Sequence, residues 1–126
     1  MGGRKGNSGW LMEILHFHMF NTSERLSASA QLMWHYLMYR ANQNWWQYPI
    51  CLNIPEIAYA TNFSATSIKN ARKELTDKGL ITWESSGGNK GAKYYVNSLT
   101  GSKYAGQSKE NNKNQVIKPP EKAKLM

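Results

Sequence analysis

The stretch NFSATSIKNARKELTDKGL, residues 62–80, decides the fold. Ser64 is a good helix N-cap, because its hydroxyl can take up an otherwise unpaired amide of the first turn. From there Ile68, Ala71 and Leu75 recur at the spacing of one buried helical face, and Gly79 supplies the left-handed residue that stops the helix near Lys78. With that face inward, Thr66, Lys69, Asn70 and Lys73 point outward and Arg72 lies on the boundary. The preceding Asn62, Phe63 and Ser64 form a tight turn. Before it, Pro55 fits a first helical position, and Ile54, Ile57 and Ala58 follow helical spacing.

Two helices joined by such a turn are the core of a helix-turn-helix motif. After Gly79, Leu80–Glu84 and Ala92–Val96 read as two strands joined by the Gly- and Asn-containing loop Ser85–Gly91. Ile81 and Trp83 alternate with Thr82 and Glu84, so one face of this hairpin is expected to pack on the domain. Upstream, Ser27 caps a helix predicted from about Ala28 to Asn42, apolar all round its circumference, and a short extended piece, Tyr48–Asn53, contains Pro49. A further helix begins by Trp10, with Leu11, Ile14, Leu15 and Met19 at helical spacing. The fold class is mainly α with a small β-hairpin: a winged helix-turn-helix with an extra N-terminal helix.

Three regions follow. Residues 1–9 form a basic, glycine-rich leader, expected to stay mobile until Ser8 can cap a helix; residues 10–99 form the domain. Residues 100–126, rich in Lys, Asn, Gln, Ser and Gly, are too polar to offset their ordering entropy and read as a disordered basic tail or linker. The single cysteine, Cys51, excludes an internal disulfide and is expected to be a buried structural residue. No apolar run is long enough for a membrane span, so a cytoplasmic protein without membrane contact is expected.

Sixteen Lys and Arg against eight Asp and Glu give a net charge of +8, which favours a polyanionic partner. Half of that excess lies in residues 101–126, with six Lys and two Glu, so the charge on the capped helix is the more diagnostic part. Lysines and hydroxyls suit phosphates, and an amide can donate and accept at once on an adenine edge. Ser64, Thr66, Lys69, Asn70, Arg72 and Lys73 are therefore the expected DNA contacts on the helix, with Lys90 and Lys93 on the wing. The competing reading is a solvated helix face in which Glu74 and Asp77 balance the basic residues. The apolar excess upstream predicts self-association, with Trp10, Leu11, Ile14, Phe17, Trp45 and Trp46 as interface candidates.

The segments LSASAQLMWHYLM (26–38), WQYP (46–49), SATSIKNARKEL (64–75) and KGLI (78–81) resemble the N-terminal winged-helix domain of DnaD-like replication proteins, including replisome organisers of phages and mobile elements. The resemblance spans about residues 10–99. It implies a non-enzymatic role in replication initiation in a bacterial host, oligomerisation through the added N-terminal helix and strand, and replisome proteins as partners. It also implies a further helical C-terminal domain, placing residues 101–126 as a linker where that domain would begin. A winged-helix transcriptional regulator, or an adaptor that contacts protein and no DNA, fits the same fold.

Other constellations point to no enzyme, metal or cofactor. His16 and His18 match the His-hydrophobic-His pattern of rolling-circle endonucleases, but residues two apart diverge on a helix. The loop from Gly87 to Lys93 has the composition of a phosphate loop without its spacing. Trp45, Trp46, Tyr94 and Tyr95 offer stacking surfaces for single-stranded DNA, although packing is the more frequent use of such residues.

Overall fold

In a computed structural model, the structure describes residues 2–88 and 90–100, with side chains from Gly9 onward. Four helices, α1 (Gly2–Glu24), α2 (Ala28–Gln43), α3 (Ile54–Thr61) and α4 (Ala65–Asp77), accompany three strands, β1 (Ile50–Leu52), β2 (Ile81–Ser85) and β3 (Ala92–Val96). Helical backbone in α1 already runs from Gly2, upstream of the expected Ser8 cap; extending an existing helix gains one backbone hydrogen bond for each residue fixed, without a new nucleation cost. The tail, residues 101–126, lies outside the described residues.

The apolar circumference of α2 makes it the centre of the molecule. Ala30, Met33, Trp34, Leu37, Met38 and Ala41 are all buried, and Ser27 caps the helix by accepting from the Ala30 amide. Phe17 of α1 stacks on Trp34, with ring centroids 3.9 Å apart and planes 8° from parallel. The other faces of α2 pack on α3, α4 and β1. After α2 the chain turns through Trp45 and Trp46, both at positive φ, and the Trp46 amide donates to the Ala41 carbonyl at 2.8 Å. Bulky residues enter this region only when the surroundings hold them there; here the buried Trp46 ring is the anchor.

The extended piece around Pro49 becomes β1, which joins the hairpin to make an antiparallel sheet in the order β1-β3-β2. Ile50 lies opposite Tyr94 and Leu52 opposite Ala92. On the other side Ile81 pairs with Val96 and Trp83 with Tyr94. Cys51 is exposed, contrary to expectation, because Ile50 and Leu52 take the two inward positions of this three-residue strand. At the base of the wing Gly91 has φ +85°, and a Cβ there would lie 2.7 Å from the Leu52 carbonyl oxygen. Gly91→Ala is expected to destabilise the domain by about 2 kcal/mol, combining left-handed strain with forced separation of β1 from β3. Chemical denaturation showing a loss below about 0.5 kcal/mol would remove that constraint.

Glu13 ties α1 to the end of the described chain. Its buried carboxylate accepts from the Leu99 amide and the Ser98 hydroxyl, both at 2.6 Å, and from the Thr100 hydroxyl at 3.2 Å. His35 sits half-buried beside Phe17 and Trp34, 5.6 Å from the His18 ring. Burial, and secondly the charge on His18, lower its pKa below the usual 6.5. The unfolded chain therefore takes up this proton first, so stability is complete above pH 6.5 and falls as the pH drops from there through the folded-state value. His35→Gln is expected to flatten the change in Tm between pH 7.5 and 5.5 (about one unit either side of the usual value); an unchanged profile would exclude His35 as its source. Among the described residues no helix is long and apolar enough to cross a membrane.

Candidate nucleic-acid interface

The α3–α4 pair has the geometry of a helix-turn-helix. Asn53 and Glu56 form a reciprocal capping box at the start of α3, and Asn62 in the left-handed region (φ 64°) ends it. Ser64 then caps α4, its hydroxyl accepting from the Ser67 amide and donating to the Ser67 hydroxyl, both at 3.1 Å. The Ser64 side chain thus shapes the helix start, while the first-turn amides give that end its positive dipole. Ile68, Ala71 and Leu75 are fully buried, and beyond Lys78 Gly79 takes φ +80°. The cap, the buried face and the stop agree with the sequence reading.

The outward face carries Thr66, Lys69, Asn70 and Lys73, all exposed. Among the described residues Thr66, Lys69 and Asn70 make no side-chain hydrogen bond or ion pair. Lys73 pairs with Asp77 at 3.0 Å, with the two side chains 77% and 60% exposed; such a pair contributes little and yields readily to a phosphate. Of the two acids that would balance this face, Asp77 stays on it, paired with Lys73, and Glu74 is turned elsewhere. Glu74 accepts from the hydroxyl and amide of Ser27, at 2.6 and 2.9 Å, and Lys78 reaches Glu24 of α1 at 2.6 Å. What is left is a basic surface with one amide near its middle.

Two expected contacts stand elsewhere. Arg72 is half-buried, its guanidinium 3.7 Å from the Trp83 ring centroid and its Nη1 donating to the Tyr94 hydroxyl at 3.2 Å. Lys93 alternates with the buried Ala92 and Tyr94, which places it opposite Glu84 on the outer face of the sheet, away from α4. Lys90 is exposed on the wing loop, next to Asn89, which lies outside the described residues.

The expected self-association surface is redistributed as well. Phe17 and Trp46 are core residues, while Trp10 and Ile14 pack half-buried against that core. Leu11 and Trp45 are exposed, and α1 adds Met12, Leu15 and Met19, the last 66% exposed. Stacking on all four of the aromatics considered above is excluded, since Trp46 and Tyr94 are buried. Tyr59, not singled out from sequence, is 91% exposed on α3, the helix that crosses the DNA backbone in this class of motif. Its place two residues after the buried Ile57 was the available signal. His16 and His18 both lie on α1, and His16 Nδ1 donates to the Met12 carbonyl at 2.9 Å.

Residues 24–81 match the helix-turn-helix domain family, a span from the end of α1 to the first residue of β2. The match supports DNA as the partner of this fold. No curated protein and no solved structure matches the chain.

Proposed function

We propose that this chain is the DNA-binding and oligomerising module of a DnaD-like replication initiation protein. The observation that carries the DNA part is the outward face of α4, where Lys69 and Asn70 stand unpaired beside the weakly held Lys73. Lysines on phosphates set affinity and register, Asn70 reads a base edge, and Thr66 and Tyr59 add hydroxyls toward the backbone. Lys90 extends the basic surface onto the wing. Self-association uses the apolar stripe Leu11, Leu15 and Met19 on α1, with Met12 beside it, and presents several α4 helices to one DNA. The replication role rests on the resemblance of residues 10–99 to the DnaD-like domain.

A transcriptional regulator of the same fold uses the same face, so the decisive experiment is selection of genomic fragments on the purified protein. Enrichment of a replication origin supports this reading, and enrichment of promoters replaces it with the regulator. Absence of salt-dependent binding to duplex DNA would leave the adaptor role. Light scattering that shows only monomer at tens of micromolar, roughly the range of weak association, would remove the oligomer.

A further inference from the structure

Arg72 is the one basic residue of α4 whose side chain is directed at the wing and away from solvent. Its guanidinium lies over Trp83 of β2 and donates to Tyr94 of β3, and these two aromatics face each other across the hairpin with ring centroids 6.5 Å apart. Among the described residues this is the only side-chain hydrogen bond between α4 and the hairpin. Tyr94 is fully buried, so its hydroxyl has no bulk water to turn to, and the contact fixes one point of the helix against both strands. The loop bearing Lys90 begins just beyond Ser85, two residues after Trp83.

We infer that Arg72 is a positioning residue: it clamps α4 to the wing through Trp83 and Tyr94, so that Lys90 and the outward face of α4 meet one DNA duplex together. The inference rests on the DNA-binding reading above and deepens it. A planar guanidinium is required, because it can lie flat on an indole while donating in its own plane; a lysine ammonium keeps the charge but cannot do both. A phosphate contact has the opposite requirement, since lysine serves there nearly as well as arginine.

The test compares wild type, Arg72→Lys, Lys90→Ala and the double variant for binding to a labelled DNA duplex at fixed salt. Arg72→Lys is expected to weaken binding about tenfold when Lys90 is present and less than about threefold when it is absent, because the lost positioning acts through Lys90. Equal losses in both backgrounds overturn the inference. So does wild-type affinity in Arg72→Lys combined with a salt slope lowered by about one unit in Arg72→Gln, the signature of a phosphate contact. Hydrogen exchange of residues 81–96 supplies a readout independent of DNA. Faster exchange there in Arg72→Lys, with α2 unchanged, supports the clamp; unchanged exchange overturns it. If the wild-type chain binds no duplex, the DNA reading fails while the clamp is still judged by exchange. Should Arg72→Lys not fold, Trp83→Leu takes its place in the same scheme.

Discussion

Trp34→Ala is expected to lower stability by about 3–5 kcal/mol, the range for removing a large aromatic from a packed interior. Trp34 is wholly buried at the centre of α2, stacked on Phe17 and met edge-on by His35, so it joins α1 to the helix-turn-helix core. Domains of this size are stable by about 5–15 kcal/mol, which makes the loss a large part of the total. The fall in Tm should exceed about 12 °C. Trp34→Phe is expected to be much milder, because the indole Nε1 makes no hydrogen bond to another residue and only volume is lost. Thermal unfolding followed by circular dichroism checks both; a loss under about 1 kcal/mol for Trp34→Ala would mean that α1 and α2 are not coupled through this stack.

The combined replacement Lys69→Ala, Asn70→Ala and Lys73→Ala is expected to weaken duplex binding by about 10²–10³. Two phosphate contacts and one bidentate base contact together supply that range. The slope of log affinity against log salt should fall by about two units, one for each lysine. Stability should change by less than about 0.5 kcal/mol, since all three side chains are exposed and only the Lys73–Asp77 pair is lost. Titrations of both proteins at several salt concentrations decide the matter. An unchanged slope would remove α4 from the interface. Asn70→Ala alone should reduce discrimination between sequences more than it reduces the slope, because an amide releases no counterion.

These two outcomes differ in how far they could be read from sequence. The α4 face was legible because its signals are local. A capping serine, apolar residues three and four apart and a terminal glycine each act within one or two turns, and they agree. Lys69, Asn70 and Lys73 follow from that periodicity directly. Arg72 does not, for periodicity places it on the boundary and says nothing of what lies beyond. Its partners Trp83 and Tyr94 reach it only after the hairpin folds back on the helix.

The same limit explains the upstream half. Apolar composition showed that α1 and α2 carry more hydrophobic surface than one face can hide. It could not rank Phe17 against Leu11, or Trp46 against Trp45, because each choice depends on which side chain meets Trp34 and which is buried where the chain turns back on Ala41. The face of β3 that carries Lys93 was not legible for a related reason. Alternation along β3 fixes two faces, but the hairpin register, set by the wing loop, decides which one meets α4.

The sequence by itself determined the helix-turn-helix, the stretch from Asn62 to Leu80 above all, since its cap, spacing and stop are properties of a chain interacting with its own near neighbours. Tertiary structure alone decided which charged groups near that face are drawn away from it. Glu74 is drawn to Ser27, Lys78 to Glu24 and Arg72 to the Trp83–Tyr94 pair, all through contacts between residues distant in the chain. Lys69 and Asn70 keep an open face because Glu74 of their own helix is held by Ser27 and Asp77 by Lys73.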